Sequence, residues 1–281
     1  MENKPLTLEE IHEGTLVILK KIIEICDKIN VNYFIAYGTL IGAVRHKGFI
    51  PWDDDLDIIM LRPEYDKFVS YCDAHENELY PFRLMNRFNT PGYPFNISRF
   101  NDLRYRMETN GYPDAGMGMF VDIYPFDGCG NDRDEAIREF NPKKKFLMRM
   151  LSLTYSDSFT PSKKSLFNTL AKLILYPIAK ILGMNYFLCK LDNLCKTYDY
   201  SKSKFVGVVT WDEKCFPVEK AWVEKTIEAP FEGLKVKIPV DYDKVLRLSY
   251  GDYMKLPPVE ERVPHHGYSL FKKTCEKKIY I

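Results

Sequence analysis

The stretch Tyr37–Met60, YGTLIGAVRHKGFIPWDDDLDIIM, constrains this chain more than any other. It places a small-residue turn, a short helix, a Pro51-Trp52 brake and four aspartates ahead of the apolar run Ile58, Ile59, Met60. In an extended strand alternate side chains share a face. Asp55 and Asp57 therefore project together, while Leu56 and Ile58 point into a core. Two carboxylates held close together repel, and one is forced towards neutrality unless a cation lies between them. A hard divalent ion, Mg²⁺ or Mn²⁺, suits such a place because it takes carboxylates and substrate phosphates together. A solvated acidic loop is the plainer reading of three consecutive aspartates. Such a loop requires neither Trp52 nor a β-type apolar continuation.

A third acid lies far along the chain. In Gly111–Asp127 a glycine-rich loop leads into an apolar strand, Met119–Tyr124, that carries Asp122. A lone aspartate there is costly to bury unless it is paired or ligates a metal; the alternative is a strand-end cap. Asp55, Asp57 and Asp122 on two strands form the metal-ligand set expected here, of the kind that clamps a phosphoryl transfer. Gly38-Thr39, between a strand and a helix, reads as a turn that brings backbone N–H groups to a phosphate, or as an ordinary tight turn. Arg45 and His46 end that helix, where Arg45 either forks onto phosphate oxygens or favours the helix C-terminus as a cation. His265-His266 lacks acids or cysteines at zinc-ligand spacing, and neither a GxSxG elbow nor a P-loop occurs.

Composition narrows the class. The 281 residues hold 40 Lys+Arg against 39 Asp+Glu, so the charge is balanced and no nucleic-acid partner is indicated. Seven cysteines without a CxxC pair, behind a polar N-terminus unlike a signal peptide, point to a cytoplasmic protein. Thr7-Leu8-Glu9-Glu10 has capping-box spacing ahead of a helix to about Lys28. A strand at Val31–Tyr37, a helix at Leu40–His46 and a strand at Leu56–Met60 follow. Then come a helix at Pro63–Leu79 and extended segments at Phe82–Arg87 and Phe95–Asp102.

Asn131–Tyr200 turns helical, with basic patches at Lys143–Lys145 and Lys163-Lys164. Within it Ser165–Leu188 is apolar but interrupted by Lys172, Pro177 and Lys180, which predicts two amphipathic helices or one kinked at Pro177. This segment is expected either to touch an anionic membrane surface peripherally or to pack on the core. Phe205–Trp211 reads as a strand, Val218–Ile238 as a hairpin turning at Gly233, and Asp241–Ser249 as a helix. The pattern predicts an α/β (α+β) fold: a core over residues 1–130, a helical insert over 131–204, and a β-rich part over 205–281 that completes the same domain.

The motif at Tyr37–Met60 resembles the opening motif of the LicD/fukutin family, in the nucleotidyltransferase (polymerase-β-like) superfamily. The likeness continues through FNISRFND (Phe95–Asp102), GMFVDIYPFDG (Gly118–Gly128) and SYGDYMKLPP (Ser249–Pro258). It implies a nucleotidyltransferase-like mixed sheet flanked by helices, and transfer of a substituted phosphate from a cytidine-diphosphate donor. In the best-known bacterial members phosphocholine passes from CDP-choline to cell-surface glycans. By the same resemblance Gly38-Thr39 matches the superfamily's glycine-plus-hydroxyl turn, Asp55 and Asp57 its paired metal acids, and Asp122 its third acid. Asp53 and Asp54 match the acidic run.

Two positions depart from the pattern. Arg99 stands where many relatives carry Lys, and Leu103-Arg104 stands where a hydroxyl residue is expected after Asp102. The reading is a Mg²⁺- or Mn²⁺-dependent phosphotransferase in which a glycan or teichoic acid precursor, lipid-linked in some relatives, attacks the phosphorus and CMP leaves. Asp122 or Asp54 would take the hydroxyl proton, and Arg45 and Arg99 would face the diphosphate. Tyr124 and Trp211 would cage the quaternary ammonium, with Trp52 anchoring the acidic turn. Transfer of phosphoethanolamine, glycerol phosphate or ribitol phosphate, nucleotidyl transfer, and a non-catalytic binding module remain open alternatives.

Overall fold

The computed structural model describes residues 4–109, 111–156, 166–211, 215–264 and 267–273. Expectations resting on Lys163, Lys164, Ser165, Asp212, His265 and His266 concern residues outside that set. The chain opens with helix α1 (Leu8–Ile29), which carries the expected capping box between Thr7 and Glu10 and buries Ile18, Leu19, Ile22 and Ile25. Strand β1 is only Phe34–Ile35, shorter than the apolar run suggests, because helix α2 (Tyr37–Arg45) starts directly behind it. Gly38 and Thr39 thus lie in the first turn of α2 rather than in a turn ahead of it.

Strand β2 (Asp57–Leu61) follows, with Asp55 just before it. Pro63 occupies the first turn of helix α3 (Arg62–Ala74), where its missing N–H costs nothing. A short helix α4 (Glu76–Leu79) and strands β3 (Phe82–Met85), β4 (Ser98–Asp102) and β5 (Tyr105–Thr109) come next. Strand β6 (Met119–Gly128) is buried along all 10 residues, as an apolar run predicts for a central strand.

The main sheet has the order β1-β2-β6-β4-β3. β2 and β6 run parallel, and the other pairs on this path are antiparallel. Beyond β6, helices α5 (Arg133–Tyr155) and α6 (Leu166–Cys195) pack on each other around Met150, Leu151, Ala179, Phe187 and Leu188. Pro177 lies inside α6, and the backbone departs from helix at Gly183 (φ 76°, ψ 167°) instead. Glycine tolerates that left-handed φ without steric cost, whereas a mid-helix proline already has the φ a helix wants.

The expected strand at Phe205–Trp211 is confined to β7 (Phe205–Gly207), which joins β6 to β8 (Val218–Glu219). After the short helix α7 (Lys220–Val223), β9 (Thr226–Phe231) and β10 (Leu234–Pro239) form the predicted hairpin. Its turn holds Glu232 and Gly233 at φ 47° and 74°, the pair of positive φ values that a two-residue hairpin requires. Helix α8 (Tyr242–Tyr250) and strand β11 (Tyr268–Lys272) end the described chain. β11 pairs with β5, a long-range partnership that no local pattern announced. The result is a mixed α/β fold whose principal core lies between the sheet and its helices.

Candidate active site

The register of the sheet sets the site. Asp57 on β2 lies beside Asp122 on β6, and Arg99 on β4 lies on the other side of Asp122. Neighbours in register share a face, so two acids and a guanidinium from three strands form one row. Arg99 Nε donates to Asp122 Oδ1 at 2.7 Å, and both residues are buried. The guanidinium lies 4.0 Å from the Phe120 ring centroid and 4.3 Å from that of Phe95. Aromatic faces therefore take the place of water around it. The Tyr124 hydroxyl faces Asp57 Oδ1 at 3.2 Å and Asp122 Oδ2 at 3.4 Å. Its single proton satisfies only one carboxylate at a time.

The acidic loop is held in part by its backbone. His12 Nε2 meets the Asp53 carbonyl at 2.6 Å, and the His12 ring stacks on Phe49 at 4.0 Å. The Tyr268 hydroxyl donates to the Asp54 carbonyl at 3.0 Å. The Asp57 N–H donates to Thr39 Oγ1 at 3.0 Å, so Thr39 ties the start of β2 to α2. At Gly38 a Cβ would collide with Asp53 Oδ2. Only glycine lets that carboxylate approach the N-terminal turn of α2, the positive end of the helix dipole. Upstream, Glu232 Oε1 accepts from the Phe49 N–H at 3.0 Å, so the β9–β10 turn clamps the entry to the loop.

Asp55, Asp57, Arg99, Asp122, Tyr124 and Trp211 all line one pocket of about 160 Å³, together with Tyr37, Phe120 and Tyr268. Burial pushes the Asp57 carboxyl well above the usual range, and the charges of Asp55, Asp122 and Asp53 push it further. Burial likewise raises the Tyr124 and Tyr268 phenols. Among the described residues, one carboxylate oxygen from each of Asp53, Asp54 and Asp55 lies within 4.8 Å of the other two, a set that differs from the expected ligands. Asp54 is not among the residues lining the pocket. Buried, mutually repelling carboxylates that open on a pocket are the donor set a hard divalent cation fits, because the ion reverses the repulsion.

The other candidates sit elsewhere. Arg45 donates to the Tyr253 carbonyl at 2.6 Å and to His46 Nε2 at 2.9 Å, and neither Arg45 nor His46 lines the acidic pocket. The phosphate-fork role expected of them has no geometric support, because their hydrogen bonds go to the C-terminal segment and to each other. Arg104 closes on the Asp102 carboxylate at 2.6 Å instead of facing the pocket. Trp52 packs against the main core beneath the Arg262 guanidinium, in the anchoring position expected of it.

Sequence reasoning missed four contributors: His12, Tyr37, Phe120 and Tyr268. His12 is 41 positions from its partner, and Tyr268 is 214 from its own. Tyr37 was visible only as a strand end, and Phe120 as one apolar residue among many. The alternation in Tyr268-Ser269-Leu270-Phe271 was the one signal that a strand occurs there.

The comparisons with known proteins point the same way. A family model described as LicD/FKTN/FKRP, nucleotidyltransferase domain, matches residues 30–169, which take in the whole Asp57–Arg99–Asp122 row. The chain is 32% identical over 272 residues to the lipopolysaccharide cholinephosphotransferase LicD of Haemophilus influenzae, covering 94% of this chain and 97% of that protein. An uncharacterized protein of Rickettsia prowazekii is 37% identical over 82 residues, 29% of this chain and 26% of its own length. An identity of 32% along nearly the full length of one relative, with a family-model match that takes in the acidic row, makes this chain a member of the LicD/FKTN/FKRP nucleotidyltransferase family.

Proposed function

We propose that this protein is a CDP-alcohol-dependent phosphotransferase that moves phosphocholine from CDP-choline to a hydroxyl of a cell-surface glycan, of lipopolysaccharide or teichoic acid type. The observation that carries the reading is the row Asp57–Asp122–Arg99 opening on an aromatic-walled pocket. The relative named as a cholinephosphotransferase supports the choice of head group. Asp55, Asp57 and Asp122 would hold Mg²⁺ or Mn²⁺, which supplies charge neutralisation at the phosphoryl oxygens. Arg99 holds Asp122 in place through Nε, donates from Nη1 to Met117 Sδ, and lines the pocket.

Tyr37, Tyr124 and Trp211 form a continuous wall, with ring centroids 5.3 Å apart for Tyr37–Tyr124 and 5.9 Å for Tyr124–Trp211. Such faces suit a quaternary ammonium, which cannot donate hydrogen bonds. Tyr37 also borders a larger apolar cavity of about 390 Å³ lined by Phe34, Leu40, Phe126 and Leu246, with room for the donor's nucleoside. The acceptor hydroxyl proton would pass to Asp122 or to Asp54. Asp54 does not line the pocket, so Asp122 is the better placed of the two. With a soluble nucleotide donor the reaction would take place in the cytoplasm.

The test is mass spectrometry of the products from a panel of CDP-alcohols with a purified glycan acceptor, with and without a chelator. Phosphocholine on the acceptor with CMP released, lost on chelation and restored by Mg²⁺ or Mn²⁺, is the expected result. Release of pyrophosphate from CTP would make the protein a nucleotidyltransferase, and full activity under exhaustive chelation would remove the metal.

A further inference from the structure

Helix α6 is apolar on two faces and buries one of them. Towards α5 it turns Leu175, Tyr176, Ala179, Phe187 and Leu188 into a shared core. The opposite face carries Leu170, Leu173, Ile174, Ile178, Ile181 and Leu182, which are between 42% and 83% exposed. From Leu170 the steps are three, four, eight, eleven and twelve residues, which put all six on one stripe of a helix. Within the helix's most apolar 18-residue window only 17% is buried. Apolar residues scattered singly over a surface are ordinary, whereas a continuous stripe marks an interaction surface. The stripe ends where the helix breaks at Gly183. Beyond that point Asp192 ties α6 to the body of the protein through its ion pair with Arg87 and a hydrogen bond from Asn96.

Charge selects the occupant. From Leu166 to Lys190 the helix carries Lys172, Lys180 and Lys190 and no acid. Lys180 is anchored at the flank of the stripe, its Nζ donating to the Thr154 carbonyl at 2.9 Å. In a two-fold pairing with a second copy the same surface meets itself, and Lys180 of each arm would find no acid on the other arm to pair with. An anionic lipid surface takes the leucines and isoleucines among its acyl chains and the lysines among its phosphates. The whole helix is long and apolar enough to cross a membrane. The break at Gly183, however, leaves an arm from Leu166 to Leu182 of only about 25 Å at the helical rise, which favours lying on the surface over spanning. One face of the arm is also already taken by α5.

We propose that the N-terminal arm of α6 lies in the plane of an anionic membrane surface, with its exposed stripe submerged and Lys180, at the flank of that stripe, at the headgroups. This rests on the fold alone and stands whatever the donor or acceptor of the reaction. The experiment is vesicle flotation of the full chain, with phosphatidylcholine vesicles with and without phosphatidylglycerol. At low salt the protein should float with the anionic vesicles and remain behind with the neutral ones, and added salt should weaken the binding. I174E/I181E should lower the bound fraction at least tenfold, and K180A should lower it less and only on anionic vesicles. Circular dichroism checks that each variant is folded, and I174S/I181S replaces the glutamate pair if it is not. Absence of flotation at low salt overturns the proposal, as does binding unaffected by the stripe substitutions. It is equally overturned if the wild type sediments as a dimer that I174E/I181E dissociates, because the stripe then belongs to a second copy.

Discussion

Strand β6 carries a buried aspartate paired with an arginine near each end, and the two pairs differ in what surrounds them. At one end Arg62 Nε donates to Asp127 Oδ1 at 2.6 Å, while a second nitrogen of Arg62 reaches Asp66 at 3.0 Å. Burial raises the Asp127 carboxyl, and Arg62 works against that rise. At the other end Arg99 meets Asp122 at a similar 2.7 Å, but Asp57 stands alongside in register and adds a second carboxylate. Asp57 has a tyrosine hydroxyl as its side-chain partner and acids as its charged neighbours. The first arrangement is balanced in charge, Asp127 facing Arg62 and Arg62 also facing Asp66. Asp127 Oδ2 nevertheless has no hydrogen-bond partner among the described residues, and the pair borders a cavity of about 580 Å³. The second is unbalanced, stable only at a cost that a ligand from outside can relieve. Proximity of an arginine does not separate structure from function here; the presence of a further, repelling acid does.

The largest effect expected from breaking this contrast is at Asp57. D57N should lower turnover by about a thousandfold or more, the scale of losing a principal electrostatic group at the reacting centre. It should also raise the Tm, because it removes a repelling charge from a buried cluster. Rates of CMP release and calorimetry check both arms, and a lowered Tm with more than about a tenth of the activity would make Asp57 a second Asp127. At Asp127 the signs should reverse. D127N leaves Arg62 without its main partner and should destabilise the fold by about 2 kcal/mol, trimmed from the usual cost of a broken buried pair. The reason for the trim is that the Arg62 side chain is 27% exposed. Urea unfolding should show this loss while kcat per folded molecule stays near the wild-type value.

A smaller effect sharpens the contrast within the pocket. W211L should weaken CDP-choline by about 1 kcal/mol and leave CMP nearly unchanged, if the ring meets the ammonium group. Paired calorimetric titrations with the two ligands distinguish this from equal losses, which would assign the ring to nucleotide stacking. The smallest effect belongs to another network. His46 Nε2 accepts from Arg45, which requires the neutral ring, and burial followed by the Arg45 charge lowers the His46 pKa below 6.5. Below pH 6.5 the unfolded chain binds a proton that the folded chain resists. Stability should therefore rise with pH from the lowered folded value up to 6.5, and H46N should flatten that slope. A slope unchanged in H46N would assign it to other groups.

Much of the site was legible because its parts are local. Asp55, Leu56, Asp57 and the apolar run behind them are contiguous, and a period of two is enough to aim them. The same holds for Asp122 within its strand and for the Glu232-Gly233 turn, where the chain's positive φ demands a permissive residue. Where the reading failed, two local patterns competed or none existed. The apolar residues before Gly38 fitted a long strand, but helix α2 captured Tyr37 and left β1 only Phe34–Ile35. Pro177 looked like the break in α6, yet the positive φ fell to Gly183. Arg45 had the chemistry of a phosphate ligand, and only the position of Tyr253, 208 residues away, turned it inward.

By itself, the sequence determined the mixed α/β class, the acids, the strand that aims each of them, and the family. Those properties follow from residue type and short-range periodicity, which the chain carries whether folded or not. Tertiary structure alone decided that Asp57, Asp122 and Arg99 share one row, because strand register is set by packing across β2, β6 and β4 rather than along any of them. It alone brought His12 and Tyr268 to the carbonyls of the acidic loop. It also left one apolar face of α6 uncovered: hydropathy records how apolar a helix is, and burial depends on which neighbours the fold supplies.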